Sequence, residues 1–191
     1  MHMNGMLVGA VFGAVFVFVN AGEPLEPAVV TVLRIAAIAG AAAVLAMWFL
    51  AVRQARTGAA PSQPRRTFFT KSYWWAVIAE VILLFGGIRV LGAMGVPAEV
   101  NVAWVALVVG LHFVPIAISW KEPRLYVPAA VLSLLGVAGF AVAALGAVAW
   151  VPVVSGVLSG VIMLAATVGV SVRSLRPAAV TSGAAGSSGP L

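Results

Sequence analysis

Hydrophobic residues fill six stretches of the chain, at about 5–20, 27–52, 72–93, 99–119, 125–149 and 151–172. Short polar or basic connections separate them. Every face of these stretches is apolar, so periodicity does not assign their secondary structure. Length does, because each run exceeds the roughly 4–8 residues of a buried strand. The alternation of a lipid-facing barrel is also missing. A run of roughly 20 apolar residues crosses a bilayer as a helix, which closes its backbone hydrogen bonds within itself. The pattern predicts an all-α fold, a polytopic membrane helix bundle with six transmembrane helices.

The first stretch, "MLVGAVFGAVFVFV", is the shortest, and "VNAG" reads as a signal-peptidase site after Ala21. A signal peptide carries a basic n-region. Here the chain starts "MHMNG", without Lys or Arg, so a retained helix is expected.

Composition agrees with the pattern. The 191 residues are 63% hydrophobic and 8% charged. Soluble domains carry about a quarter charged residues, so lipid is the main solvent here. The length accommodates one transmembrane domain, 1–176, with a basic linker at 54–70 and a small, polar, Gly/Pro-containing tail at 177–191 expected to be disordered. The Ala/Gly/Val/Arg/Pro bias fits a GC-rich bacterial genome, and the expected location is the bacterial cytoplasmic membrane.

The net charge of +6 resembles a nucleic-acid signal in isolation. Its distribution points to topology instead, with the lipid bilayer and not nucleic acid as the partner. Arg53, Arg56, Arg65, Arg66 and Lys71 lie between the second and third stretches, Lys121 and Arg124 between the fourth and fifth, and Arg173 and Arg176 after the sixth. Connections 20–27, 93–99 and 149–152 hold no Lys or Arg. By the positive-inside rule this alternation places both termini in the cytoplasm. Trp48, Trp74, Trp75 and Trp120 then fall at inner ends and Trp150 at an outer end, where amphipathic rings belong.

Small residues supply the packing signal. Gly5, Gly9 and Gly13 form a smooth stripe on the first helix, and Ser155, Gly156, Ser159 and Gly160 form another on the last. Such stripes let helix backbones approach closely. They support a tight bundle or a homo-oligomer, without separating the two.

Ionisable groups inside a span are costly and mark candidate sites. Arg34, Glu80, Arg89 and His112 qualify. The third and fourth helices meet in a short turn near Val96, with Glu80 sixteen residues before it and His112 sixteen after. In an antiparallel hairpin, equal counts mean equal depth. Glu80 and His112 are therefore expected level with each other, as a proton- or ligand-binding pair or as a structural pin between helices. Asn101, His112 and Ser119 share one face of the fourth helix, expected to look into the bundle. Pro115 should kink that helix and free the Leu111 carbonyl for the His112 ring. Arg89 is expected over the Trp104 ring or snorkelling outward. Glu80 and Arg89 sit on opposite faces unless Gly86–Gly87 breaks the helix.

Asn20, Glu23 and Glu26 adjoin the outer end of the second helix, where an Arg34–Glu26 or Arg34–Glu23 pair would neutralise the arginine. With Arg89 and Asn101 they outline an outer anion-binding vestibule. The alternative is snorkelling arginines with no ligand.

The absence of cysteine removes disulfides, thiolate metal sites and cysteine nucleophiles. No P-loop or H-E-x-x-H occurs, so no cofactor and no metal are expected.

"GLHFVPIAISWKEPRLYV", residues 110–127, resembles a signature of an uncharacterised family of small multi-pass bacterial membrane proteins. Gly110, His112, Phe113, Pro115 and Tyr126 carry the likeness. It covers about a tenth of the chain and implies a fold type and no reaction.

The leading expectation is a small transporter or permeation protein for a small-molecule or lipid ligand. A non-catalytic accessory or scaffold protein is the second. A lipid-modifying enzyme with Glu80 and His112 as acid and base is the third, although nothing in the sequence positions a nucleophile.

Overall fold

The structure is a computed structural model that describes residues 3–56 and 71–175. Most of the basic linker and the C-terminal tail lie outside the described residues, as do the expectations made for them. Six α-helices follow in order: α1 Met3–Asn20, α2 Pro27–Arg56, α3 Lys71–Ala93, α4 Asn101–Trp120, α5 Tyr126–Ala144 and α6 Leu158–Leu175. Short 3-10 turns at Ala98–Val100 and Pro123–Leu125 lead into α4 and α5. A third, Val148–Trp150, and a π-helical turn, Pro152–Val157, precede α6.

Five spans are long and apolar enough to cross a membrane: Pro27–Arg53, Trp74–Ala93, Ala98–Trp120, Pro123–Ala144 and Val148–Arg173. The apolar part of α1, Gly5–Asn20, is shorter. At 1.5 Å per residue, all of α1 measures about 27 Å, close to the hydrocarbon thickness of about 30 Å. The bundle thus has five to six spanning helices. Val32, Ile35, Ile82, Phe85 and Leu134 are each more than half exposed on its outer surface. Water does not solvate such a belt; acyl chains do.

One boundary differs from the hydrophobic pattern. The stretch 125–149 ends as helix at Ala144. Gly146 takes φ +83, its N–H reaches the Ala143 carbonyl, and the Ala147 N–H reaches Val142. This left-handed helix stop accepts glycine at no steric cost. The residues beyond it are as apolar as the helix, so hydropathy alone hides the stop.

The helices pack as two groups. Helices α1, α2 and α6 pack mutually, around Met6, Ala10, Val17, Ala37, Val44 and Leu164. Helices α4 and α5 share the most extensive interface, and α3 packs on the flank of α4. The π-helical turn joins the groups by touching α1, α4 and α5.

Small residues set these distances. A Cβ added at Gly160 would lie 2.6 Å from the Gly13 carbonyl oxygen, and one at Gly13 would lie 2.9 Å from the Gly160 carbonyl oxygen. Gly9 abuts Thr167, and Gly156 abuts the Asn20 side chain. The stripes on α1 and α6 are therefore used against each other within one chain. Gly5 has nothing within 4 Å and stands outside the contact. Gly110, Gly136 and Gly139 do the same work between α4, α5 and the π-helical turn, where they abut Ser133, Leu107 and Ser155.

Candidate functional site

The site lies between α3 and α4. Their connection is short because Gly95, at φ +72, stops α3 in the same left-handed manner as Gly146 stops α5. The Gly95 N–H reaches Gly92 and the Val96 N–H reaches Leu91. The two helices then run antiparallel from this turn.

On α4, Trp104, Val108 and His112 recur every four residues and so share a face. Trp104 sits against Gly87 of α3, where an added Cβ would fall within the indole ring. Its Nε1 donates to the Leu83 carbonyl at 2.9 Å. Gly87 is thus a seat for an aromatic ring, and α3 continues through Gly86–Gly87 without a break. An indole N–H in lipid needs an acceptor, and this carbonyl supplies it.

Two helical turns from Trp104, the His112 Nδ1 lies 3.4 Å from the Glu80 Oε2. The side chains are 12% and 18% exposed, respectively. The ring also makes a hydrogen bond to the backbone of Ala76, one turn from Glu80 on the same helix. The equal-depth count is met, and the helices are rotated so that the two side chains face each other. The expected bond from the ring to the carbonyl freed by Pro115 is replaced, because the imidazole turns across to α3. Pro115 itself is exposed within a continuous α4.

The chemistry of such a pair is that of one proton between two bases. Carboxylate with imidazolium, and carboxylic acid with imidazole, have the same net charge. Adding or removing one proton changes that charge by one. A charge change away from water is energetically large, so it acts on how the surrounding helices sit.

Other expectations are corrected. Arg34 meets neither Glu23 nor Glu26, both of which are exposed. Among the described residues the ion pairs are His112–Glu80 and Arg124–Glu122. The Arg34 Nη2 donates instead to the Ala21 carbonyl at 2.8 Å, and its guanidinium lies 5.3 Å from the Phe18 ring centroid. Arg89 is exposed, and Trp104 bonds Leu83 rather than stacking under it. Asn20 is turned inward: its Nδ2 donates to the Phe16 carbonyl, and its side chain fills the space over Gly156. The outer vestibule is not assembled. Arg34 belongs to the α1–α2–α6 group, whereas Arg89 and Asn101 belong to the α3–α4 hairpin on the other flank. The polar stripe of α4 is also incomplete, since Asn101 and His112 are half-buried but Ser119 is exposed.

Gly110 and His112 address different neighbours. Two residues apart, they point about 200° apart around α4. Gly110 admits Ser133 of α5, and His112 meets Glu80 of α3. A short glycine–histidine motif thus fixes both sides of one helix. No family model, curated protein or solved structure matches the chain.

Proposed function

We propose that this polytopic membrane protein is a small transporter or permeation protein of a bacterial cytoplasmic membrane, with both termini inside, in which Glu80 and His112 take up and release a proton. The observation that supports this reading is the half-buried contact of an acid with an imidazole between two spanning helices. Helix α3 packs on α4 and has no other substantial helix neighbour among the described residues. A change of charge in the pair therefore acts on the helix held by the fewest contacts.

A second reading, a non-catalytic accessory or scaffold protein, draws on the Trp104–Leu83 hydrogen bond on the same face. In that reading both contacts pin α3 to α4. The enzyme reading has less behind it. Ser155 donates to the Leu135 carbonyl and Ser171 to the Thr167 carbonyl, so these two hydroxyls are engaged elsewhere.

Proteoliposomes enclosing a pH-sensitive dye separate these readings. Under an imposed pH gradient, the wild-type protein is expected to dissipate the gradient faster than protein-free liposomes. Glu80→Gln and His112→Gln are each expected to return the rate to that of protein-free liposomes. Wild-type rates in both variants would sink the transport role of the pair.

A further inference from the structure

A second site lies on the other flank of the bundle, between α1 and α2. Its first component is a groove of about 350 Å³ with an apolar lining that includes Ala10 and Ala14 of α1 and Ile38, Ala41, Ala42 and Leu45 of α2. Alanines on both walls leave the space open, because longer side chains would fill it. The α2 residues continue a stripe that starts at Arg34, since 34, 38, 41, 42 and 45 share one helix face. The α1 stripe leads in the same way from Ala14 to Phe18.

Its second component is Arg34, one helical turn before Ile38 on α2. Side chains tilt toward the N-terminus of their helix, which on α2 is the end at the α1–α2 turn. Arg34 follows that rule and reaches the Ala21 carbonyl beside the turn, lying over the Phe18 ring. A guanidinium has five N–H donors. Among the described residues Nη2 has an acceptor, whereas Nε is buried with no partner. Among the described residues no carboxylate forms an ion pair with Arg34.

A cation near one end of a span, with an apolar groove that begins one helical turn further toward the bilayer centre, has the shape and polarity of one ligand class. We propose that the α1–α2 face binds a single phospholipid, its phosphate on Arg34 and one acyl chain in the groove. Arginine suits phosphate because its planar donors match two oxygens at once. Diffuse annular lipid needs neither the cation nor the groove. Nothing in this assignment depends on Glu80 or His112.

The test is native mass spectrometry of the detergent-purified protein titrated with dioleoyl phosphatidylglycerol, with dioleoylglycerol and inorganic phosphate as comparators. The wild-type protein is expected to hold one phospholipid through activation that strips the others. Arg34→Gln should weaken that adduct about tenfold, the loss of one charge-assisted contact. Arg34 also ties down the α1 terminus, so a second variant leaves it in place. Ala42→Phe fills the groove from its exposed edge and should weaken the adduct similarly, with unchanged thermal unfolding before lipid is added. Wild-type binding in both variants would overturn the assignment. So would dioleoylglycerol binding as tightly as the phospholipid. Inorganic phosphate raising the thermal midpoint as much as the phospholipid would show a free-anion site and overturn it as well.

Discussion

Replacing Gly160 with leucine will separate α1 from α6 and cost the bundle more stability than any other single change in the small-residue stripes. The added Cβ would lie 2.6 Å from the Gly13 carbonyl oxygen and 2.8 Å from the Val17 nitrogen. Both obstacles are backbone, so no rotamer change relieves them. Overpacking of a filled core costs roughly 1–3 kcal/mol, and a backbone obstacle puts this case at the upper end. The loss spreads, because α1 also carries Met6, Ala10 and Val17 into the core shared with α2 and α6. Thermal unfolding in detergent measures it. Gly5→Leu is the matched control: Gly5 has nothing within 4 Å, and leucine is the better helix former, so its replacement should not lower the midpoint. Equal midpoints for the two variants would mean that α1 does not pack on α6 through Gly13 and Gly160.

The second large effect is expected at the membrane pair. Glu80→Ala and His112→Ala should each destabilise the protein by about 1–3 kcal/mol, because either change leaves a half-buried polar group without its partner. The double variant should cost less than the sum. Contacting polar groups between membrane helices couple by about 0.6 kcal/mol on average and up to about 1.7 kcal/mol. The 3.4 Å approach and low exposure of both side chains place this pair toward the upper figure. Unfolding of the four proteins in one detergent closes the cycle. Additivity within about 0.3–0.5 kcal/mol would remove the contact.

The pair was the most legible part of the site because a short hairpin leaves little freedom. Once Val96 is taken as the turn, depth along α3 and α4 follows by counting, and Glu80 falls level with His112. Rotation is another matter. It is fixed by Gly87 under Trp104, a fit of one ring to one missing side chain. Read as sequence, Gly86–Gly87 is equally a point of weakness in a helix.

The arginines show the converse. Sequence displays charges, so carboxylates at Glu23 and Glu26 look like the natural partners of Arg34. In the fold a carbonyl at Ala21 and a ring at Phe18 take that place. Neither carries a charge, and every residue offers a carbonyl, so no pattern marks the one that is used. The layout of the bundle was hidden for a related reason. Apolar faces all round a helix do not say which one meets a neighbour, and α3 gives no hint that α4 is its main support. The glycine stripes of α1 and α6 were visible, but self-packing and oligomerisation use the same signal until the partner face is found.

In the proposed function a proton is exchanged at the contact between Glu80 and His112. Nitrogen-15 NMR of the imidazole in lipid tests it most directly. The chain has two histidines, so His2→Gln leaves His112 as the sole signal. The ring nitrogens are expected to respond to a change of pH, and Glu80→Gln should shift both their resonances and that response. A His112 signal that does not respond to pH, or that is the same with and without the Glu80 carboxyl, would contradict the account.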